Sequence, residues 1–288
     1  MSIVIKTLLV IIFAPVVGCL LAGIDRKLTA RLQNRVGPPI LQPLYDFLKL
    51  LSKENIAVSK YQNVYVLVYF MFVFASLIML VFQTDLLTII FVFTIANVAF
   101  IAGGMSTGSP YSKVGSQREI MAMLSYEPIL VFYITAMYMV TGSFRVYSIN
   151  AMDKPLILYL PLIFVGMLFV MIIKFKKSPF DFSTSHHGHQ ELVKGITTEF
   201  SGPALAVIEL THWIEAVFLL GLMFLFWKQN IFLGLLICLF SYLFVIIVDN
   251  ISARLKFQWM VKTSWTVMIT LSIINILAIY VYNNINIL

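Results

Sequence analysis

One feature recurs eight times along this chain: an uninterrupted apolar run of about 20 residues, long enough at helical rise to cross a hydrocarbon layer about 30 Å thick. The runs cover approximately 3–23, 63–82, 86–104, 119–140, 155–174, 203–226, 231–249 and 264–282. Hydrophobic residues make up 60% of the 288 and charged residues only 11%. A soluble surface typically uses about 25% charged residues, so the expected fold class is all-α integral membrane. The expectation is one transmembrane domain over 1–288, a bundle of about eight transmembrane helices with structured loops. Lys and Arg outnumber Asp and Glu by 20 to 13, for a net charge of +7. A nucleic-acid reader would need a solvated basic face, which these runs cannot supply.

The positive charges mark a side instead. Polar segments after the first, third, fifth and seventh runs share one face of the membrane, and they hold 16 of the 20 Lys and Arg. The positive-inside rule places those loops in the cytoplasm and both termini outside. Between the first two runs, Leu41, Leu44, Phe47, Leu48 and Leu51 have the spacing of one helical face. This stretch is too short to span and reads as an amphipathic interfacial helix. A second, weaker candidate of that kind runs from Ile251 to Lys262.

Chemistry on the chain is confined to a few polar groups. Its two cysteines, Cys19 and Cys238, are too few for an iron–sulfur cluster or a structural zinc, so electron chemistry belongs to partner chains. Ionisable groups inside a bilayer are costly and point to function. The fourth run carries Glu119 and, two turns deeper, Glu127 before Pro128, which cannot donate a backbone hydrogen and so frees a carbonyl. The sixth carries Glu209, His212 and Glu215 in steps of three, a slanted polar stripe able to pass protons. The alternative is static pairing of the acids with Arg118 or Lys174. Three polar segments look too specific for spacers: Gly23 to Pro39, Gly103 to Arg118, and Lys177 to Pro203. In the third, His186, His187 and His189 precede Glu191, but zinc spacings are absent and no metal site is expected. The histidines read as interfacial titratable groups or as parts of a solvated loop.

Asp25-Arg26-Lys27 followed by Arg35-Val36-Gly37-Pro38, then Leu41-Gln42-Pro43, resembles the signature after the first helix of the subunit 1 family of respiratory complex I. Ser125-Tyr126-Glu127, and Ser178-Pro179-Phe180-Asp181 with Glu199-Phe200-Ser201-Gly202, resemble its other two signatures. The His186 to Glu191 loop with Arg118-Glu119 is similar to the homologous membrane subunit of energy-converting group 4 nickel–iron hydrogenases.

That resemblance implies a non-catalytic membrane anchor and ion-translocation subunit of an oxidoreductase complex. In such a complex, ferredoxin oxidation and hydrogen evolution in a docked module are coupled to proton or sodium translocation. It implies no cofactor on this chain, and a nickel–iron centre and iron–sulfur clusters on partners. The implied partners are the hydrogenase large and small subunits, antiporter-like and small membrane subunits, lipid and, indirectly, ferredoxin, in a prokaryotic plasma membrane. Asp25, Arg26, Lys27, Arg31, Arg35, Arg118, Asp181, His186, His187, His189, Glu191 and Glu199 would face the docked module. Glu119, Glu127, Glu209, His212 and Glu215 would carry protons. The alternatives are a quinone-site subunit of a complex I type dehydrogenase and a stand-alone proton-coupled transporter.

Overall fold

A computed structural model describes residues 3–152, 154–181 and 194–285. Among the described residues, seven helical stretches are long and apolar enough to cross a membrane. They are α1 (Ile3–Leu32), α3 (Gln62–Val81), α4 (Leu86–Met105), α5 (Pro110–Thr141), α8 (Gly202–Phe224), α9 (Ile231–Ile251) and the C-terminal run of α10 (Phe257–Thr263), a π-turn (Ser264–Met268) and α11 (Ile269–Ile285). The short α2 (Gln42–Leu51) is the amphipathic helix, and its Leu44, Leu48 and Leu51 are exposed.

Two helices outrun their apolar stretches. α1 continues past Gly23 to Leu32, because residues 24–32 are mostly strong helix formers. Asp25, Arg26, Lys27 and Arg31 therefore stand on a helical post, not in a loop. Likewise α5 starts at Pro110, which puts Arg118 in the helix. The Ile251 to Lys262 stretch is not one amphipathic helix. α9 ends at Ile251 and α10 begins at Phe257; between them the Leu255 N–H donates to the Pro179 carbonyl at 2.6 Å.

Two compact units form. The first takes Met1–Ile78, Val92–Glu119 and Phe182–Phe218. Its helices approach through glycine. A methyl group on Gly18 of α1 would lie 2.6 Å from the Cβ of Trp213 on α8. A methyl on Gly115 of α5 would lie 2.6 Å from the Gly195 carbonyl carbon and 2.9 Å from the Ile196 Cα. That contact seats the turn Gly195–Thr197, whose Ile196 is fully buried, and Ser112 donates to the Ile196 carbonyl at 3.3 Å. The same turn leads into α8 through a segment tied to the stretch before α3. Gln62 Nε2 donates to the Glu199 carbonyl at 2.9 Å, and Ser201 Oγ donates to the Ile56 carbonyl at 2.8 Å. Gly202, at φ +47°, passes over the Glu54 carbonyl, where a side chain would collide.

The second unit takes Met79–Phe91, Ile120–Asp181 and Leu219–Leu288. Its apolar run 155–174 is not one continuous helix. α6 (Leu156–Tyr159) and α7 (Pro161–Lys174) are separated at Leu160, because Pro161 has no N–H to continue the ladder. Asn275 of α11 fills the broken rung. Its Nδ2 donates to the Tyr159 carbonyl at 2.9 Å, and its Oδ1 accepts from Leu162 and Ile163 N–H, each at 3.2 Å. At Pro128 in α5 the same problem has a similar answer. The carbonyl four residues back, on Leu124, accepts from Trp265 Nε1 at 3.2 Å, and the Ser125 carbonyl accepts from Ser264 Oγ. Both donors sit in the π-turn.

Asn275→Leu leaves two backbone N–H groups and one carbonyl without their bonds in an apolar core, at about 1–3 kcal/mol for each buried group. Thermal unfolding in detergent is expected to show a clear loss of stability, larger than for Asn283→Leu at the exposed end of the same helix. Gly115→Leu meets backbone, which cannot rotate away, so little folded protein is expected in a fluorescence-detected size-exclusion assay.

Candidate functional site

α8 is apolar along most of its length, with Glu209, His212 and Glu215 among its exceptions. Steps of three residues turn a helix by 300°, so the three side chains follow a slanted line. The structure divides them into a contacting pair, a half-buried His212 and a buried Glu215, and a member nearer the amphipathic helix. His212 Nδ1 lies 3.4 Å from Glu215 Oε2. Tyr69 of α3 stands between them: its hydroxyl donates to Glu215 Oε2 at 3.1 Å and lies 3.2 Å from His212 Nδ1. Tyr69 is 1% exposed and Glu215 4%. Phe100 of α4 closes the cluster, stacked on Tyr69 at 4.9 Å and edge-on to His212 at 5.8 Å.

A phenol both donates and accepts, and a neutral imidazole carries one donor and one acceptor nitrogen. A proton held on His212 Nδ1 therefore has two acceptors within reach, the Tyr69 oxygen and the Glu215 carboxylate. The aromatic walls keep the low dielectric in which such exchanges are strong. Tyr69 carries no sequence signal of its own, being one of 13 tyrosines in a chain with 24 phenylalanines.

Glu209, six residues before Glu215 and so about 9 Å along the axis, lines a pocket with groups from α1 and α2. Arg26 of α1 donates to Asp46 Oδ2 of α2 at 2.7 Å, and Gln42 Nε2 donates to Asp46 Oδ1 at 3.0 Å. Burial pushes the Asp46 carboxyl up, but these two donors and the positive charges of Arg26 and Lys49 outweigh it and hold it below the usual range. This pair fastens the amphipathic helix to α1. Phe47 packs on Trp213 of α8 at 5.6 Å, so the pocket is walled on three sides. Lys49, Lys53 and Lys194 complete its rim.

In α5, Glu119 and Glu127 are each half-buried. Lys174, at the end of α7 and itself buried, places its ammonium 4.9 Å from the ring centre of Tyr126, the residue before Glu127. Asp181 lies a few residues past the end of α7. The segment before it is pinned by a residue the sequence does not single out. Asp249 of α9 accepts from Lys177 Nζ at 3.0 Å and from Ser178 N–H at 2.9 Å. Its only sequence signal is a carboxylate at the end of an apolar run.

Asp25, Arg26, Lys27 and Arg31 occupy the last turns of α1, with Arg31 exposed, while Arg35 is exposed just beyond the helix. Arg118 is on α5 beside Glu119, and Glu199 is half-buried ahead of α8. His186, His187, His189 and Glu191 lie outside the described residues.

Known proteins resemble this chain along most of its length. It is 29% identical over 279 residues to formate hydrogenlyase subunit 4 of Escherichia coli (strain K12), covering 86% of this chain and 90% of that one. To an NADH-quinone oxidoreductase subunit of Dehalococcoides mccartyi (strain CBDB1) it is 30% identical over 298 residues, 93% of this chain and 84% of the other. Its fold matches a chain in the structure of the membrane-bound sulfane sulfur reductase, an archaeal respiratory membrane complex. The TM-score is 0.85 and the identity 26%, over 97% of this chain and all of that one. These relatives are subunits of membrane oxidoreductase complexes. Residues 5–280 match the family model described as NADH dehydrogenase, and the chain therefore belongs to the family of subunit 1 of that enzyme.

Proposed function

We propose that this chain anchors a nickel–iron hydrogenase module to the membrane and carries ions through its own helices. Ferredoxin oxidation and hydrogen evolution in the docked module drive proton or sodium translocation, and the redox centres sit on partner subunits. The likeness to formate hydrogenlyase subunit 4, and to hydrogenase-4 component C of the same organism at 30% identity over 205 residues, supports the hydrogenase side. The observation that carries the translocation side is the Tyr69–His212–Glu215 cluster, three exchangeable groups within 3.4 Å of one another between helices long enough to span.

The coupling is electrostatic. A unit charge arriving about 10 Å from a buried carboxyl, at an effective dielectric of about 20, moves its pKa by about one. Charge changes at the docked face thus alter protonation along the path, which Glu119, Glu127 and Glu209 begin and to which His212 and Glu215 belong. Arg26, Arg31, Arg35 and Arg118, with Asp25, Lys27, Asp181, the His186, His187, His189 and Glu191 loop, and Glu199, form the docked face. That face is cytoplasmic and both termini are outside, in the plasma membrane of a prokaryote. Antiporter-like and small membrane subunits receive the ions.

A quinone-reducing assembly is the second reading, favoured by the likeness to the NADH-quinone oxidoreductase subunit. Purification by a tag on this chain separates the two. Nickel in the eluate with hydrogen evolution from reduced ferredoxin is expected; a nickel-free complex that reduces quinone overturns the hydrogenase assignment.

In the reconstituted complex, Glu215→Gln removes the acceptor and Tyr69→Phe removes the bridging hydroxyl while leaving the packing. Each is expected to lower ions moved per hydrogen by about tenfold or more, in keeping with the loss of a positioned proton-transfer group. Hydrogen evolution by the uncoupled complex should persist. An unchanged ratio in both variants, and in Glu127→Gln, would show a purely structural anchor.

A further inference from the structure

We infer that the pocket between α1, α2 and α8 binds the headgroup phosphate of an anionic phospholipid. The inference stands on the pocket itself and does not depend on which redox module docks.

Depth is the first argument. α2 carries two faces. Leu44, Leu48 and Leu51 are exposed on one, an apolar strip that has no place in water and lies on hydrocarbon. Pro43, Phe47 and Leu50 turn to the pocket on the other. A helix lying in the interface plane puts the cavity beside it at headgroup level, where the buried indole of Trp213 is also at home.

Charge is the second. Within the pocket, Asp46 is held by Arg26 and Gln42, which settles both of its oxygens. Arg26, Lys49, Lys53 and Lys194 against Asp46 and Glu209 leave the described lining with an excess of positive charge. All three lysines are exposed, and their flexible stems can close on an anion from several directions. The wall below is apolar, made by Phe47, Leu50, Leu205 and Trp213. A positive rim over an apolar wall, beside an interfacial helix, matches a molecule with a phosphate at one end and acyl chains at the other. A free anion would leave the apolar wall wet, and a zwitterionic headgroup would bring its own cation to the lysines.

The test uses the full chain in detergent, followed by native mass spectrometry with dioleoyl phosphatidylglycerol and dioleoyl phosphatidylcholine at equal concentration. One phosphatidylglycerol adduct is expected to form in preference by on the order of tenfold, weakening as salt rises. Lys49→Gln with Lys53→Gln should abolish that preference, whereas Lys49→Arg with Lys53→Arg should retain it. Lys60→Gln with Lys113→Gln, at exposed lysines outside the pocket, should leave it intact. Equal binding of the two lipids overturns the inference, as does a preference that survives loss of both pocket lysines. Displacement of the adduct by inorganic phosphate at millimolar concentration also overturns it, by showing a free-anion site.

Discussion

A backbone inside a bilayer has no water to bond, so every carbonyl and N–H must find a partner within the protein. Pro128 in α5 and Pro161 at the start of α7 break that closure, and the C-terminal helix restores it at both places. Pro128 removes the donor that the Leu124 carbonyl would have used, and Trp265 Nε1 takes its place. Pro161 ends the ladder between α6 and α7, and the Asn275 side chain bonds both sides of the gap. The π-turn Ser264–Met268 belongs to the same solution, since it carries Ser264 and Trp265 toward α5. Within this turn the adjacent Ser264 and Trp265 reach the carbonyls of Ser125 and Leu124. The last helix is therefore a polar partner to α5 and α7 as well as an apolar one.

The same accounting explains where charges are tolerated. Arg26 with Asp46 and Lys177 with Asp249 each join a helix to the segment beside it at the edge of the apolar region, and both pairs have backbone or amide donors on the remaining oxygens. Paired in this way, a carboxylate costs little, and removing one partner strands the other. Deeper in α8 the arrangement changes character. Tyr69, His212 and Glu215 contact one another through polar atoms between α3 and α8, a phenol and an imidazole beside a carboxyl, with no fixed cation in the described cluster.

How much of this is readable from residues alone depends on the range of the interaction. The all-α membrane class follows from hydropathy, a local property. Pro128 and its freed carbonyl are legible too, because the defect lies within one turn. The extensions of α1 to Leu32 and of α5 back to Pro110 are not. Hydropathy reports where lipid ends, and helix propensity continues past that point. Nothing within 155–174 indicates that a side chain 113 residues away from Leu162 completes its helix. The α8 polar residues are visible one by one, but Tyr69 is hidden among other aromatics and becomes distinct only by its distance to His212 and Glu215. Asp249 is hidden for the same reason.

The two halves of the polar apparatus in the first unit are built differently, and the difference suits the coupling proposed above. The outer half, around Asp46, is held by fixed charges: an arginine that does not deprotonate and a carboxylate kept below the usual range. Fixed charges tether α2 and set a constant field over the pocket. The inner half uses a phenol, an imidazole and a carboxyl in polar contact with one another. The proposed coupling uses a constant field beside such a cluster, because a proton moves only if some groups respond to an added charge while their surroundings do not. Were the inner groups replaced by permanent ions, the cluster would lock helices together and nothing more. Were the outer pair titratable near neutral pH, α2 would loosen with each change of charge and the signal would be lost in motion of the helix.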